Sequence, residues 1–190
     1  MIIRKTVYFE KPGRDNTGDC VSVVKEAVNE HGYKHLVLAT TTGDTALAMG
    51  GALQGAGMNI VAVTHSAGFK EPNTTGLNLE TREKIASLGV KVFTGPMLTH
   101  SLETSLNQKF SGVYPTMIIA QSLKRFGEGS KVALEIVMMA ADSGLIPEGE
   151  EVLAVAGTAR GADTVLLVRS AVSKRFLELR VLEILAKPRG

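Results

Sequence analysis

The sequence predicts an α/β protein of three layers, with helices on both faces of a mostly parallel sheet and a helical insertion between the fourth and fifth strands. Three observations carry that expectation. Leu36-Val37-Leu38-Ala39 and the similar runs after it are short and continuously apolar, as strands covered on both faces must be. Helical stretches alternate with those runs through the first half of the chain, the pattern of βα units. Finally, 190 residues with 44% hydrophobic and 21% charged side chains suit one globular domain over 1–190 rather than a disordered chain or a membrane bundle.

Ile3 to Phe9 reads as the first strand, and Asn16 or Thr17 then caps a helix whose Cys20, Val24, Ala27 and Val28 share a face. Leu36 to Ala39 is the second strand. The helix after it, about Asp44 to Gln54, carries Ala46, Ala48, Gly50, Gly51 and Ala52, small residues that permit close approach at some cost in helix propensity, and stops at Gly55-Ala56-Gly57. Asn59 to Thr64 is the third strand; after the loop Ser66 to Asn78, a charged helix runs to Leu88 and ends at Gly89. Val90 to Phe93 is the fourth strand. Pro96 can open a helix reaching Phe110, Pro115 one ending near Phe126, and a third starts near Ser130. These three form the insertion and offer a surface for a homo-oligomer. Val152 to Ala156, Val165 to Val168 and Arg180 to Ala186 complete the sheet, with antiparallel pairing expected because the Gly157 to Thr164 link is too short for a helical crossover.

Composition narrows the function classes. A net charge of +2 without a basic run interleaved with aromatics leaves no nucleic-acid footprint. No 18-residue apolar run or leader-like N-terminus predicts a membrane partner, and the single cysteine, Cys20, suits a reducing, cytoplasmic compartment. His31, His35 and His100 have no metal-ligand spacing between them, so no metal is expected.

In an open parallel sheet, ligands bind at the carboxyl ends of the strands. The loop after strand two, Thr40-Thr41-Thr42-Gly43-Asp44-Thr45, leads hydroxyls and a glycine straight into a helix, where free amides and the helix dipole favour an anion. It matches neither a dinucleotide-binding nor a nucleoside-triphosphatase signature, and Thr42 acting only as an N-cap is the alternative reading. After strand five, Gly157-Thr158-Ala159-Arg160-Gly161-Ala162-Asp163-Thr164 offers two glycines for close backbone approach and a guanidinium for a phosphate; the alternative is a tight turn with Arg160 and Asp163 paired at its surface. His65, in the loop with Gly68 and Phe69, either touches a ligand, shuttles a proton or is a hydrogen-bonded rim residue. Glu135 lies in a helix apolar almost all round and requires a partner, whether it faces the crevice or forms an internal ion pair. Asp142, at the end of that helix, opposes its dipole. The loop Lys11 to Thr17 either closes over a ligand or is simply solvated.

Five spaced motifs occur in order: Lys11-Pro12-Gly13 with Asn16-Thr17, Gly43-Asp44-Thr45-Ala46, Gly68-Phe69, Met139 to Gly144, and Arg160-Gly161-Ala162-Asp163-Thr164. In these the chain resembles, over nearly its whole length, a small and mainly archaeal family of stand-alone proteins with the fold of the pyruvate kinase C-terminal domain. In pyruvate kinases that domain carries no catalytic residues and holds an allosteric sugar phosphate on loops similar to Thr40 to Thr45 and Gly157 to Thr164. The catalytic barrel is absent, so the resemblance implies no pyruvate kinase activity. It implies a crevice that takes the phosphate of FMN at Thr41, Thr42, Gly43 and Thr45, with Arg160, Gly161, His65 and Phe69 around the rest. Phe69 or Tyr114 would then stack on the flavin ring. A regulatory module sensing a sugar phosphate or another phosphorylated metabolite is the competing expectation. A hydrolase is unsupported, because no nucleophile, base and orienting acid assemble from the sequence.

Overall fold

The computed structural model describes residues 1–190. Seven strands form one sheet in the order β1-β7-β6-β5-β2-β3-β4, comprising β1 (Val7–Phe9), β2 (His35–Ala39), β3 (Asn59–Val63), β4 (Lys91–Phe93), β5 (Glu151–Ala156), β6 (Thr164–Arg169) and β7 (Arg180–Pro188). The helices are α1 (Thr17–His31), α2 (Asp44–Ala52), α3 (Leu79–Ser87), α4 (Leu102–Phe110), α5 (Pro115–Leu123) and α6 (Glu128–Asp142). Only β6 runs against the other strands, pairing antiparallel with both β5 and β7. The short link after β5 has the expected consequence: Val155 faces Val165 and Ala156 faces Thr164 across a hairpin.

Strand pleating divides the core in two. Leu36, Leu38, Ile60, Ala62, Leu153 and Val155 point to one face, where they bury Cys20 and Val24 of α1, Ala46 and Met49 of α2 and Ile85 of α3. Val37, Val61, Val152 and Ala154 point to the other and meet Ala133, Val137 and Ala140 of α6. The result is the three-layer arrangement expected from continuously apolar strands.

Several boundaries differ from the sequence reading, each for a tertiary reason. The first strand does not begin at Ile3, since backbone pairing with β7 starts where Val7 meets Ala186; just before it, the Thr6 hydroxyl donates to the Ile184 carbonyl. The helix expected from Pro96 starts only at Leu102, because Thr99 donates both its amide and its hydroxyl to Glu135 of α6, each at 2.7 Å, and holds the preceding segment as a loop. Pro115 does occupy the first turn of α5, and a short 3-10 turn, Lys124–Phe126, then leads into α6 two residues earlier than Ser130. Gly50 allows close approach to Leu88 and Val90, in the link between α3 and β4. No helix is long and apolar enough to cross a membrane.

Candidate ligand site at the sheet switch point

From β2 the chain passes outward to β3 and β4, then returns through the insertion and α6 to lay β5 on the other side of β2. Connections leave β2 on one face and come back to β5 on the other, so the loops at their adjacent carboxyl ends diverge and open a crevice.

The β2–α2 loop is built to expose its amides. Thr40, buried, uses its hydroxyl to accept from Gly43 N at 3.1 Å. Gly43 has φ 104, and a Cβ there would collide with Thr81 and lie 3.1 Å from Leu77 Cδ1, so the turn requires glycine twice over. The first hydrogen bond of α2 runs from Leu47 N to Gly43 O, leaving the amides of Asp44, Thr45 and Ala46 without an intrahelical acceptor. Thr42 is not their cap: Gly43 occupies the N-cap position, no side chain caps the helix, and Thr42 is exposed at the crevice. The N-cap alternative for Thr42 is therefore corrected.

The β5–β6 loop uses its polar groups differently. Asp163 is fully buried; it accepts from Gly13 N at 2.8 Å, Thr158 N at 3.0 Å and the Thr164 hydroxyl at 2.8 Å. It is not paired with Arg160, which corrects the surface-pair alternative. Gly161, at φ 70, lies so close to the amino-terminal loop that a Cβ would come within 2.6 Å of both Arg14 Cα and Thr17 Oγ1. The Thr17 hydroxyl also accepts from Ala162 N at 3.0 Å. The Lys11 to Thr17 segment is thus fastened to this loop rather than simply solvated. Arg160 is exposed, has no salt-bridge partner, and follows Ala159, whose φ of 62 is unusual for a residue with a side chain.

The loop after β3 brings an aromatic row. His65 Nδ1 lies 3.5 Å from the Thr41 hydroxyl, and its ring stacks on Phe69 with centroids 4.2 Å apart. Phe69 in turn lies 5.7 Å from the His100 ring. Burial, with Lys70 and His100 nearby, lowers the His65 pKa from its ordinary value of 6.5, which favours the neutral imidazole.

Glu135 finds its partner on its own helix. Lys131 Nζ lies 2.6 Å from Glu135 Oε2, both side chains are more than nine-tenths buried, and Thr99 supplies two further donors. Burial works to raise the Glu135 pKa, but Lys131 and Thr99 outweigh it and hold the carboxyl below its ordinary value. The pair is internal, which is the second of the two expectations: both residues line a separate small cavity of about 80 Å³ with Thr40, Thr41 and His65, and Glu135 does not line the larger crevice. At the other end of α6, Asp142 accepts from Ser173 N at 2.8 Å, a local reason for an acid at a helix C-terminus.

These elements enclose a crevice of about 390 Å³. Thr40, Thr41, Thr42, Asp44, Thr45, His65, Phe69, Gly157, Arg160 and Gly161 all line it. Gly43, Gly68 and Thr158 do not: the first shapes the turn, the second has φ 75 and ties its amide to Thr74 O, and the third donates its amide to Asp163. Tyr114 precedes α5 outside the crevice. Sequence reasoning missed Lys70, a second cation directly after Phe69, and Glu128 and Val132 of α6. Adjacency to Phe69 could have flagged Lys70; nothing local marks the other two, which reach the rim only because α6 crosses back over β2.

Residues 19–168 match the family model described as pyruvate kinase, alpha/beta domain.

Proposed function

The chain belongs to the pyruvate kinase alpha/beta domain family, and from that premise we propose that its crevice binds a phosphorylated small molecule, with FMN as the first ligand to test. The observation that carries the reading is the open amino terminus of α2. Three amides without internal acceptors open α2, and Thr41, Thr42, Thr45 and the exposed Arg160 line the same cavity of ligand size. Lys70 adds a second positive charge. Asp44 lies on the same rim and opposes an anion, so Arg160 and Lys70 are needed to make the potential favourable.

The residues fit FMN in kind. Its phosphate would sit on α2 and its polyol among the threonines, while the His65–Phe69 stack gives the crevice an aromatic wall. FMN when bound supplies hydride or single-electron transfer; the protein's part is to hold, orient and desolvate it. A sugar-phosphate sensor is the second reading, favoured by the hydroxyl-rich lining.

The absorption spectrum of freshly purified protein, followed by denaturation and mass analysis of the released small molecule, tests the first reading. Released FMN supports it. A colourless protein that fails to bind added FMN, but gains thermal stability with a sugar phosphate, transfers the assignment to the sensor.

A further inference from the structure

The first inserted helix, α4, has its polarity inverted. Leu102, Leu106 and Phe110 recur every fourth residue and so form one stripe, yet they are 80%, 41% and 70% exposed. Its half-buried side is polar instead: Glu103 accepts from Thr116 N at 2.9 Å, Asn107 Nδ2 donates to Gly112 O at 2.6 Å, and Thr104 and Asn107 face a space shared with α6. No residue of α4 belongs to either half of the core. An amphipathic helix is stable when its apolar stripe leaves water, and within one chain this stripe does not.

Next to it, α5 and the link before it carry a groove of about 550 Å³ lined by Val113, Met117, Ile118, Gln121, Ser122 and Arg125. Val113 and Ile118 are 75% and 57% exposed. At roughly 200 Å² for a large apolar residue fully in water, these two and the three of the stripe leave on the order of 650 Å² exposed. A standard interface buries about 800 Å² on each partner, somewhat over half of it apolar. The insertion therefore holds, by itself, the apolar area that a stable dimer needs.

We propose that a second copy of this chain covers the insertion, in a two-fold dimer that lays the Leu102–Leu106–Phe110 stripe of each copy in the α5 groove of the other. Ridge and groove belong to the same insertion, so one rotation covers both apolar surfaces of both copies and leaves no open end. Charge agrees with this pairing. Arg125 lines the groove without an acidic partner in its own chain, and the last turn of α4, around Phe110, carries the negative end of the helix dipole. A membrane surface fits less well. The cations of α4, α5 and the turn after them are Lys109, Lys124 and Arg125, with Lys124 paired to Glu128, whereas polybasic membrane-binding clusters hold about four to eight. The dimer does not depend on the phosphate reading.

Sedimentation equilibrium of the full chain at roughly 1–100 µM should give a dimer. Leu106→Glu and Phe110→Glu should each weaken it about tenfold or more, while Leu177→Glu, at an equally exposed apolar position outside the insertion, leaves it unchanged. Disulfide trapping tests the geometry without burying a charge: an equimolar mixture of Phe110→Cys and Ile118→Cys chains should cross-link under mild oxidation faster than either chain alone. The native Cys20 is buried and takes no part. A chain that stays monomeric throughout that range overturns the proposal, whether or not it binds anionic vesicles. A dimer that survives both glutamate substitutions, or whose cysteine chains cross-link no faster mixed than apart, is built on another surface and overturns it too.

Discussion

The loops after β2 and after β5 look alike as sequence, each mixing threonines, glycine and an aspartate beside a strand end, yet they do opposite things with their polar groups. The β2–α2 loop spends one hydroxyl, that of Thr40, on holding its own turn and leaves the α2 amides open. The β5–β6 loop ties its aspartate into three internal hydrogen bonds and fastens the amino-terminal segment through Thr17 and Gly13. Unsatisfied donors at a rim can recognise a ligand; satisfied ones make a scaffold. The second loop gives the crevice one charged side chain, that of Arg160, beside Gly157, Ala159 and Gly161.

Asp163→Ala should break this contrast most severely. It leaves the half-buried Gly13 and Thr158 amides without their acceptor, at up to about 1–3 kcal/mol for each group, and should lower the denaturation midpoint by the largest amount of any change considered. Unaltered stability would mean that water replaces the carboxylate and that the loop is not the scaffold. Next in size, Thr42→Glu and Arg160→Ala should each weaken phosphate-ligand binding by roughly tenfold to a hundredfold, the range for losing a charged hydrogen bond of about 1.5–3 kcal/mol, with little change in melting temperature. If Arg160→Ala instead destabilises the fold without touching affinity, that side chain belongs to the scaffold after all.

Glu135→Gln sharpens the comparison on the α6 side of the crevice. A carboxyl held below its ordinary pKa of 4.5 stabilises the fold fully above that value and loses the contribution as pH falls through its folded value. The variant should therefore be less stable than the wild type at neutral pH, with the gap closing in acid; a gap independent of pH would show that shape rather than charge matters at this position. His65 has the same sign: lowered from 6.5, it stabilises above that pH and loses this contribution on acidification. The smallest effect is expected from Ala159→Gly. Relief of a left-handed conformation costing about 1–2 kcal/mol is partly offset by unfolded-chain entropy of about 0.4–1 kcal/mol, so a gain between about 0 and about 1.6 kcal/mol should appear in denaturant titration. Any loss would show that the Ala159 methyl makes a contact worth more than its strain.

Much of the candidate site was legible in the chain. Strand ends followed at once by glycine and hydroxyl residues predicted both loops, and ten of the residues expected around a ligand line one crevice. Glu135 was recognisable as needing a partner because it interrupts an apolar helix, although Lys131, one turn earlier, could have been named as that partner from its i, i+4 spacing. The Thr42 cap and the Arg160–Asp163 pair were open alternatives that local sequence could not decide, because each depends on which neighbour supplies the competing hydrogen bond.

Alternation of buried runs and helices determined the three layers, the parallel core and the hairpin after β5, since periodicity and link length are local properties of the chain. Tertiary structure decided the rest: the delayed start of α4, the fastening of Gly13 to Asp163, and the meeting of α2, the β3 loop and α6 around Val132. Each of these joins segments distant in the sequence, and a donor's choice among acceptors is set by which of them packing brings within about 3 Å, a distance that no local pattern encodes.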